Sequence, residues 1–174
     1  CMAFSMKVAQ GALKIEQCPH MSEEALASLS EATAPPMKTI KIGTGDEELT
    51  LGGETVLFRH EKTFVNKTRY AVELCTCMDD ATVDAKLAEI PKVDYDRIGE
   101  RMYAEIVYVN CDAEATADKY VALVQKAAAL GRTLILGCSD PEIAKAALEV
   151  CKDNKPVLNG ANASNYEAMN AVAT

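Results

Sequence analysis

A chain of 174 residues, 49% hydrophobic and 25% charged, is long enough for one domain, or for one domain with a small appended module. Its formal charge of −8 disfavours nucleic acid and anionic membrane surfaces as partners. No apolar run approaches the roughly 18 residues needed to span a bilayer and no secretory leader is recognisable, so a soluble, cytoplasmic protein is expected.

In chain order, residues 2–10 are predicted as a helix, with Gly11 as its stop. Ser22 is a suitable N-cap for a second helix over residues 23–32, with Glu23 and Glu24 in its first turn. Pro35-Pro36 ends that segment. Residues 1–34 are too few to own a hydrophobic core and need a metal or a neighbour for stability. Residues 35–68 read as a linker of short strands, at 39–42 and 48–51, with turns at Gly43, Gly45, Gly52 and Gly53.

From Arg69 onward the pattern becomes strand–helix alternation. Strands are predicted at 70–77, 102–111, 133–138 and 156–161, and helices at 81–90, 116–130, 141–151 and from 165 onward. Gly131 suits a helix end, Pro141 a first helical position, and Ser164-x-x-Glu167 a capping box. No antiparallel hairpin signal is visible in this part, so four parallel strands in sequential order are predicted. Four such units fit half of a (β/α)8 barrel or a small doubly wound sheet equally well.

Carboxylates and amides gather at the predicted strand ends, where a barrel places its active residues. Asp80, Asp112, Asp140 and Ser164 are read instead as caps of the helices that follow. There is no Gly-rich phosphate loop, His-Glu-x-x-His pattern or nucleophile elbow. His20 and His60, the two histidines, receive no catalytic role.

Seven cysteines in a chain of this kind do not read as a disulfide framework. Cys75, Cys77, Cys111, Cys138 and Cys151 lie in apolar runs, where cysteine behaves as a small hydrophobe. Cys75 and Cys77 would share one face of a strand, but a metal there would need two further soft ligands, so core packing is the preferred reading. Cys1 and Cys18 differ. They have sixteen residues between them, one opening a helix, the other followed by Pro19. Such a pair is half of an iron–sulfur ligand set, because a cubane needs four converging thiolates. Spacing alone leaves two unrelated buried cysteines as an equal alternative. Phe4 and Met6 would shield a cluster from water, or simply pack.

Cys1, sixteen residues, then Cys18-Pro19 resembles the end of the Cys-x2-Cys-x4-Cys-x16-Cys motif that opens the large (gamma) subunit of the corrinoid iron–sulfur protein of acetyl-CoA decarbonylase/synthase. Met2-Ala3-Phe4, Met6-Lys7 and Ala9-x-Gly11 are similar to that family's cluster helix. Leu57-Phe58-Arg59-His60, Lys155-Pro156-Val157-Leu158 and Asn165-Tyr166-Glu167-Ala168-Met169 match later segments in the right order. The resemblance implies that Cys1 and Cys18 are two of four ligands of a [4Fe–4S] cluster, the other two lying ahead of Cys1. It implies the C-terminal part of a cluster module at 1–34, a β-rich linker at 35–68 and the first half of a TIM-type barrel at 69–174. Four more βα units and a corrinoid-binding domain would follow Thr174.

The implied function is that of a methyl carrier rather than a self-sufficient enzyme. A methyl group would pass from a methylated pterin to cobalt and on to acetyl-CoA synthase, with the cluster reductively reactivating cobalt. Implied partners are the small subunit of the corrinoid iron–sulfur protein, a pterin methyltransferase and acetyl-CoA synthase. Two other readings remain: a ferredoxin-like electron-transfer module on a barrel scaffold without corrinoid, and a pterin-dependent barrel methyltransferase.

Overall fold

The computed structural model describes residues 2–9, 12–26, 37–58 and 61–174, and the chain divides into two units, residues 1–40 with 50–68 and residues 41–49 with 69–174. In the first unit, helix α1 (Met2–Ala9) ends with the Ala12 and Leu13 N–H groups both donating to the Lys7 carbonyl, at 2.9 and 3.2 Å. A 3-10 turn, Ile15–Gln17, follows. The chain is helical again at 23–26, and Ser22 caps it as predicted: its hydroxyl accepts from the Ala25 N–H at 3.3 Å and its carbonyl from the Leu26 N–H at 2.9 Å. The predicted continuation of this helix, with Gln10, Gly11 and Pro35-Pro36, lies outside the described residues.

Strands β1 (Thr39–Ile42) and β2 (Leu49–Gly52) form one two-stranded sheet. Strands β3 (Glu54–Phe58) and β4 (Glu61–Phe64) form another, antiparallel, with Glu54 opposite Phe64. Glycines with φ of 76°, 59°, 72° and 75° at 43, 45, 52 and 53 turn the chain where turns are predicted.

The second unit is built on four parallel strands, β5 (Ala71–Cys75), β8 (Ile106–Asn110), β9 (Thr133–Gly137) and β10 (Val157–Asn159), neighbours in sequence order. Ala71 pairs with Ile106, Ile106 with Thr133, and Ile135 with Val157. Each strand is followed by a helix: α2 (Asp80–Glu89), α3 (Ala117–Ala128), α4 (Pro141–Cys151) and α5 (Tyr166–Ala173). Among the described residues no helix is long and apolar enough to cross a membrane.

Strand alternation divides the sheet into two faces. Leu74, Val107, Val109, Leu134 and Leu136 point to one, and are packed with Val83 of α2, Tyr120 and Val124 of α3, Ala144 and Ala147 of α4 and Met169 of α5. All four helices therefore cover the same face. Tyr120 is fully buried there and donates its hydroxyl to the Val109 carbonyl at 3.1 Å. The opposite face carries Glu73, Tyr108, Asn110 and Asn159 alongside Cys75, Ile106, Ile135 and Val157. At the N-terminal edge of the sheet, Thr133 donates its hydroxyl to the Glu47 carbonyl at 2.7 Å and Arg132 reaches Glu47 Oε1 at 3.0 Å.

One element departs from the predicted alternation. Between α2 and β8 the chain makes an antiparallel hairpin, β6 (Asp94–Arg97) with β7 (Glu100–Tyr103), so the strand predicted at 102–111 is in fact two, broken at Ala104-Glu105. Its turn places Ile98 at φ 54° and Gly99 at φ 77°. Both central residues at positive φ is the hairpin turn that ordinarily carries Asn-Gly or Asp-Gly. A β-branched residue in the first of these places hides the signal. Arg101 holds the hairpin closed through Nε and a terminal nitrogen to the two Asp94 oxygens, at 2.8 and 2.6 Å, and keeps that carboxyl below the usual carboxylate range.

Ile98 is 95% exposed, so its side chain gains nothing from packing to offset its backbone conformation. Ile98→Asn should therefore stabilise the fold by about 1 kcal/mol, part of the roughly 1–2 kcal/mol an L-residue loses in the left-handed region. A rise in the urea midpoint at unchanged slope checks it, and a fall would show that the turn does not need the left-handed conformation.

Candidate functional site at the strand ends and the cysteine loop

The C-terminal ends of the four parallel strands collect the side chains with chemistry. Hydrogen bonding continues past the strands: the Thr76 N–H donates to the Asn110 carbonyl at 3.1 Å, Cys111 to Gly137 at 2.7 Å, and Cys138 to Asn159 at 2.9 Å. Thr76, Cys111 and Cys138 thus follow one another across three strand ends, with Cys75 one residue back on β5, opposite Asn110. On the open face beside them, Asn110 Nδ2 donates to Glu73 Oε1 at 3.1 Å and Asn159 Nδ2 to the Tyr108 hydroxyl at 3.3 Å. Gly137 is required here, since a Cβ on it would run into the Tyr108 ring.

The carboxylates divide between capping and turn-making. Asp140 caps α4 as predicted, its Oδ1 accepting from the Glu142 and Ile143 N–H groups at 2.9 and 3.4 Å. Asp79, not Asp80, caps α2, accepting from the Thr82 N–H at 3.0 Å and the Thr82 hydroxyl at 2.6 Å. Those bonds hold the Asp79 carboxyl below its ordinary range. The cap is therefore at full strength above the unfolded carboxylate range and is lost as the pH falls through the lowered value.

Asp112 caps nothing. Thr116 takes the N-cap of α3, and the Asp112 N–H instead donates to Thr76 Oγ1 at 2.8 Å. The capping box at Ser164 does not form either, and α5 starts after Asn165 without a side-chain cap. Asn162 Oδ1 captures the Ser164 hydroxyl at 2.6 Å and the Asn165 N–H at 3.2 Å. Asn165 Nδ2 then ties this loop to the end of β9 by donating to the Ser139 carbonyl at 2.7 Å.

Cysteine packing needs one correction. Cys138 and Cys151 are buried as expected, and burial pushes the Cys151 thiol up to about 11. Cys111 is half-buried beside Cys138, and burial first, then that neighbour, push its thiol up to about 12. Cys75 and Cys77, however, are joined by a disulfide, and Cys77 is exposed rather than in the core. They do lie on one side, but β5 ends at Cys75, so the bond closes over the turn beyond the strand. The Cys-x-Cys spacing was the available signal. A mostly apolar hollow of about 720 Å³ lies between α2 and the hairpin, lined by Tyr70, Val72, Ile90, Val93 and Met102, with Lys86 and Glu89 of α2 also at its wall.

In the first unit, Cys18 is a free, half-buried thiol. Its backbone is extended, at φ −82° and ψ 113°, as a residue before proline must be. Its N–H donates to the Ile15 carbonyl at 3.1 Å, closing the 3-10 turn. Phe4 is half-buried, and Met6 is 58% exposed. His20 is exposed, whereas Cys1 and His60 lie outside the described residues. Among the described residues no group of three or more His, Cys, Asp or Glu side chains converges to hold a metal ion. Cys18 alone does not assemble a four-thiolate site.

Residues 39–174 match a family model described as CO dehydrogenase/acetyl-CoA synthase delta subunit. Over 173 residues the chain is 35% identical to the corrinoid/iron-sulfur protein large subunit of Moorella thermoacetica, which takes in 99% of this chain and 39% of that protein. It is 32% identical to the acetyl-CoA decarbonylase/synthase complex subunit gamma 2 of Methanosarcina thermophila, over 99% of this chain and 38% of that one. It is 34% identical to the gamma subunit of Methanopyrus kandleri, over 99% and 37%. The chain spans less than two-fifths of the length of these curated relatives.

Proposed function

This chain belongs to the CO dehydrogenase/acetyl-CoA synthase delta subunit family, and from that premise we propose that it is part of the large subunit of a corrinoid iron–sulfur methyl carrier. The carrier would take a methyl group from a methylated pterin, hold it on the cobalt of a corrinoid, and pass it to acetyl-CoA synthase. The observation that carries this reading is similarity along 99% of the chain to a protein named as a corrinoid/iron-sulfur large subunit.

Within it, residues 1–34 would be the end of a [4Fe–4S] module, 35–68 a linker and 69–174 the first half of a TIM-type barrel. The placement of all four helices on one face supports the barrel, since a doubly wound sheet divides its helices between two faces. Cys18 and Cys1 would be two cluster ligands, with the other two supplied from outside this sequence. The extended Cys18-Pro19 backbone supports this, because it fixes the chain direction at a thiol that forms no disulfide. When bound, the cluster would supply the electron that returns oxidised cobalt to its methyl-accepting state. The small subunit, a pterin methyltransferase and acetyl-CoA synthase would be the partners, in the cytoplasm.

Metal analysis of the full-length protein tests the proposal. Cobalt and about four irons per large subunit are expected, with cobalt methylated by methylpterin and a pterin methyltransferase. Iron without cobalt would favour the ferredoxin-like module instead. Methyl transfer by a cobalt-free protein lacking residues 1–34 would favour a pterin-dependent barrel enzyme.

A further inference from the structure

We propose that Cys75 and Cys77 form a two-electron thiol–disulfide site at the C-terminal end of β5, served by a dithiol reductant, with Cys77 as the sulfur attacked and Cys75 as the leaving thiolate. The two are bonded across a single residue, Thr76. A bond closing so short a loop restricts the unfolded chain little, so stabilisation is a weak reason for it. Access is asymmetric. Cys77 is exposed and lines an open hollow of about 370 Å³ together with Thr76, Asp112, Glu114, Thr116 and Lys119. Cys75 is 5% exposed and accepts a hydrogen bond from the Cys77 N–H at 3.2 Å. That donor favours a thiolate at Cys75 as the bond breaks.

The exchange balances without any resident cofactor. One thiolate of the reductant attacks Cys77 Sγ, the Cys75–Cys77 bond breaks, and Cys75 leaves as a thiolate and takes up a proton. The second thiolate of the reductant then attacks its own mixed-disulfide sulfur. This expels the Cys77 thiolate, which is protonated, and leaves the reductant as a disulfide. Two electrons and two protons have moved to the protein. A small-molecule disulfide runs the steps in reverse.

The surroundings confine the reaction to this pair. Cys138 is buried, and Cys111, its neighbour, stays protonated at neutral pH, so neither is a competent nucleophile toward the bond. The strand end is held independently of the bond: Thr76 donates its N–H to the Asn110 carbonyl at 3.1 Å and accepts from the Asp112 N–H at 2.8 Å. Opening the disulfide therefore frees Cys77 without unzipping β5 from β8.

Native alkylation of the full-length protein with iodoacetamide, read by peptide mass, tests the site. After treatment with oxidised glutathione, neither Cys75 nor Cys77 should be labelled. After dithiothreitol, Cys77 should be labelled in the folded protein and Cys75 only after denaturation, and a second glutathione treatment of unlabelled protein should restore protection. The same cycle should survive in Cys111→Ser. Equal labelling of Cys75 and Cys77 after oxidised glutathione would overturn the proposal. So would loss of the cycle in Cys111→Ser with the fold intact by circular dichroism.

Discussion

In the full-length protein, Cys18→Ala is expected to abolish reductive reactivation of oxidised cobalt while leaving single-turnover methylation of pre-reduced cobalt close to wild type. The argument rests on the proposed division of labour. Cys18 would hold iron, iron would only deliver electrons, and the methyl group would travel on cobalt bound elsewhere. No other cysteine lies between residues 2 and 17 to take its place. Removing one of four thiolates should convert or empty the cluster, with loss of its low-temperature paramagnetic signal as a second readout. Structural damage is not expected to confuse the result, because the turn before Cys18 is closed by its backbone N–H, which alanine retains. If methylation fails as badly as reactivation, the cluster does more than repair cobalt. If reactivation survives, Cys18 is not a ligand.

How much of this was legible depended on whether the signal was local. Asp140-Pro141 combines a capping carboxylate with a residue pre-set for the first helical turn, and α4 begins and ends where predicted. The four parallel strands were legible because each is a short apolar run between helices, and their order followed from sequence order. The hairpin was not, because Ile98-Gly99 supplies only one of the two residues its turn prefers. Ser164 and Asp112 were misread for a common reason: each has a competitor that a pattern does not rank. Asn162 captures the Ser164 hydroxyl, and Thr116 lies closer to the start of α3 than Asp112 does. Cys75 and Cys77 were placed on one side correctly. Exposure of Cys77 depends on where β5 stops, and strand ends are where periodicity is weakest. Cys1 lies outside the described residues, so the ligand pair stands as a proposal.

Arg69→Met should destabilise the second unit more than the loss of both members of its ion pair. Arg69 donates from a terminal guanidinium nitrogen to Glu105 Oε1. The two side chains are only 20% and 13% exposed. They sit just before β5 and β8, whose first residues, Ala71 and Ile106, are paired in the sheet, so the contact bridges adjacent strands at their N-terminal edge. Arg69 Nε finds no hydrogen-bond partner, so the pair is already imperfectly satisfied. Taking two charges out of water costs nearly what their attraction returns, whereas removing one partner leaves the other desolvated and alone. With some solvent still reaching both groups, the single variant should lose about 2–3 kcal/mol, at the low end of what breaking a buried pair costs. Arg69→Met with Glu105→Leu should recover to within about 1 kcal/mol of the parent, because no orphaned charge remains. Urea unfolding of the two variants and of Glu105→Leu alone completes the double-mutant cycle. A double variant as unstable as Arg69→Met would show that the pair contributes attraction well beyond its desolvation cost, and that its geometry is better than the unpartnered Nε suggests.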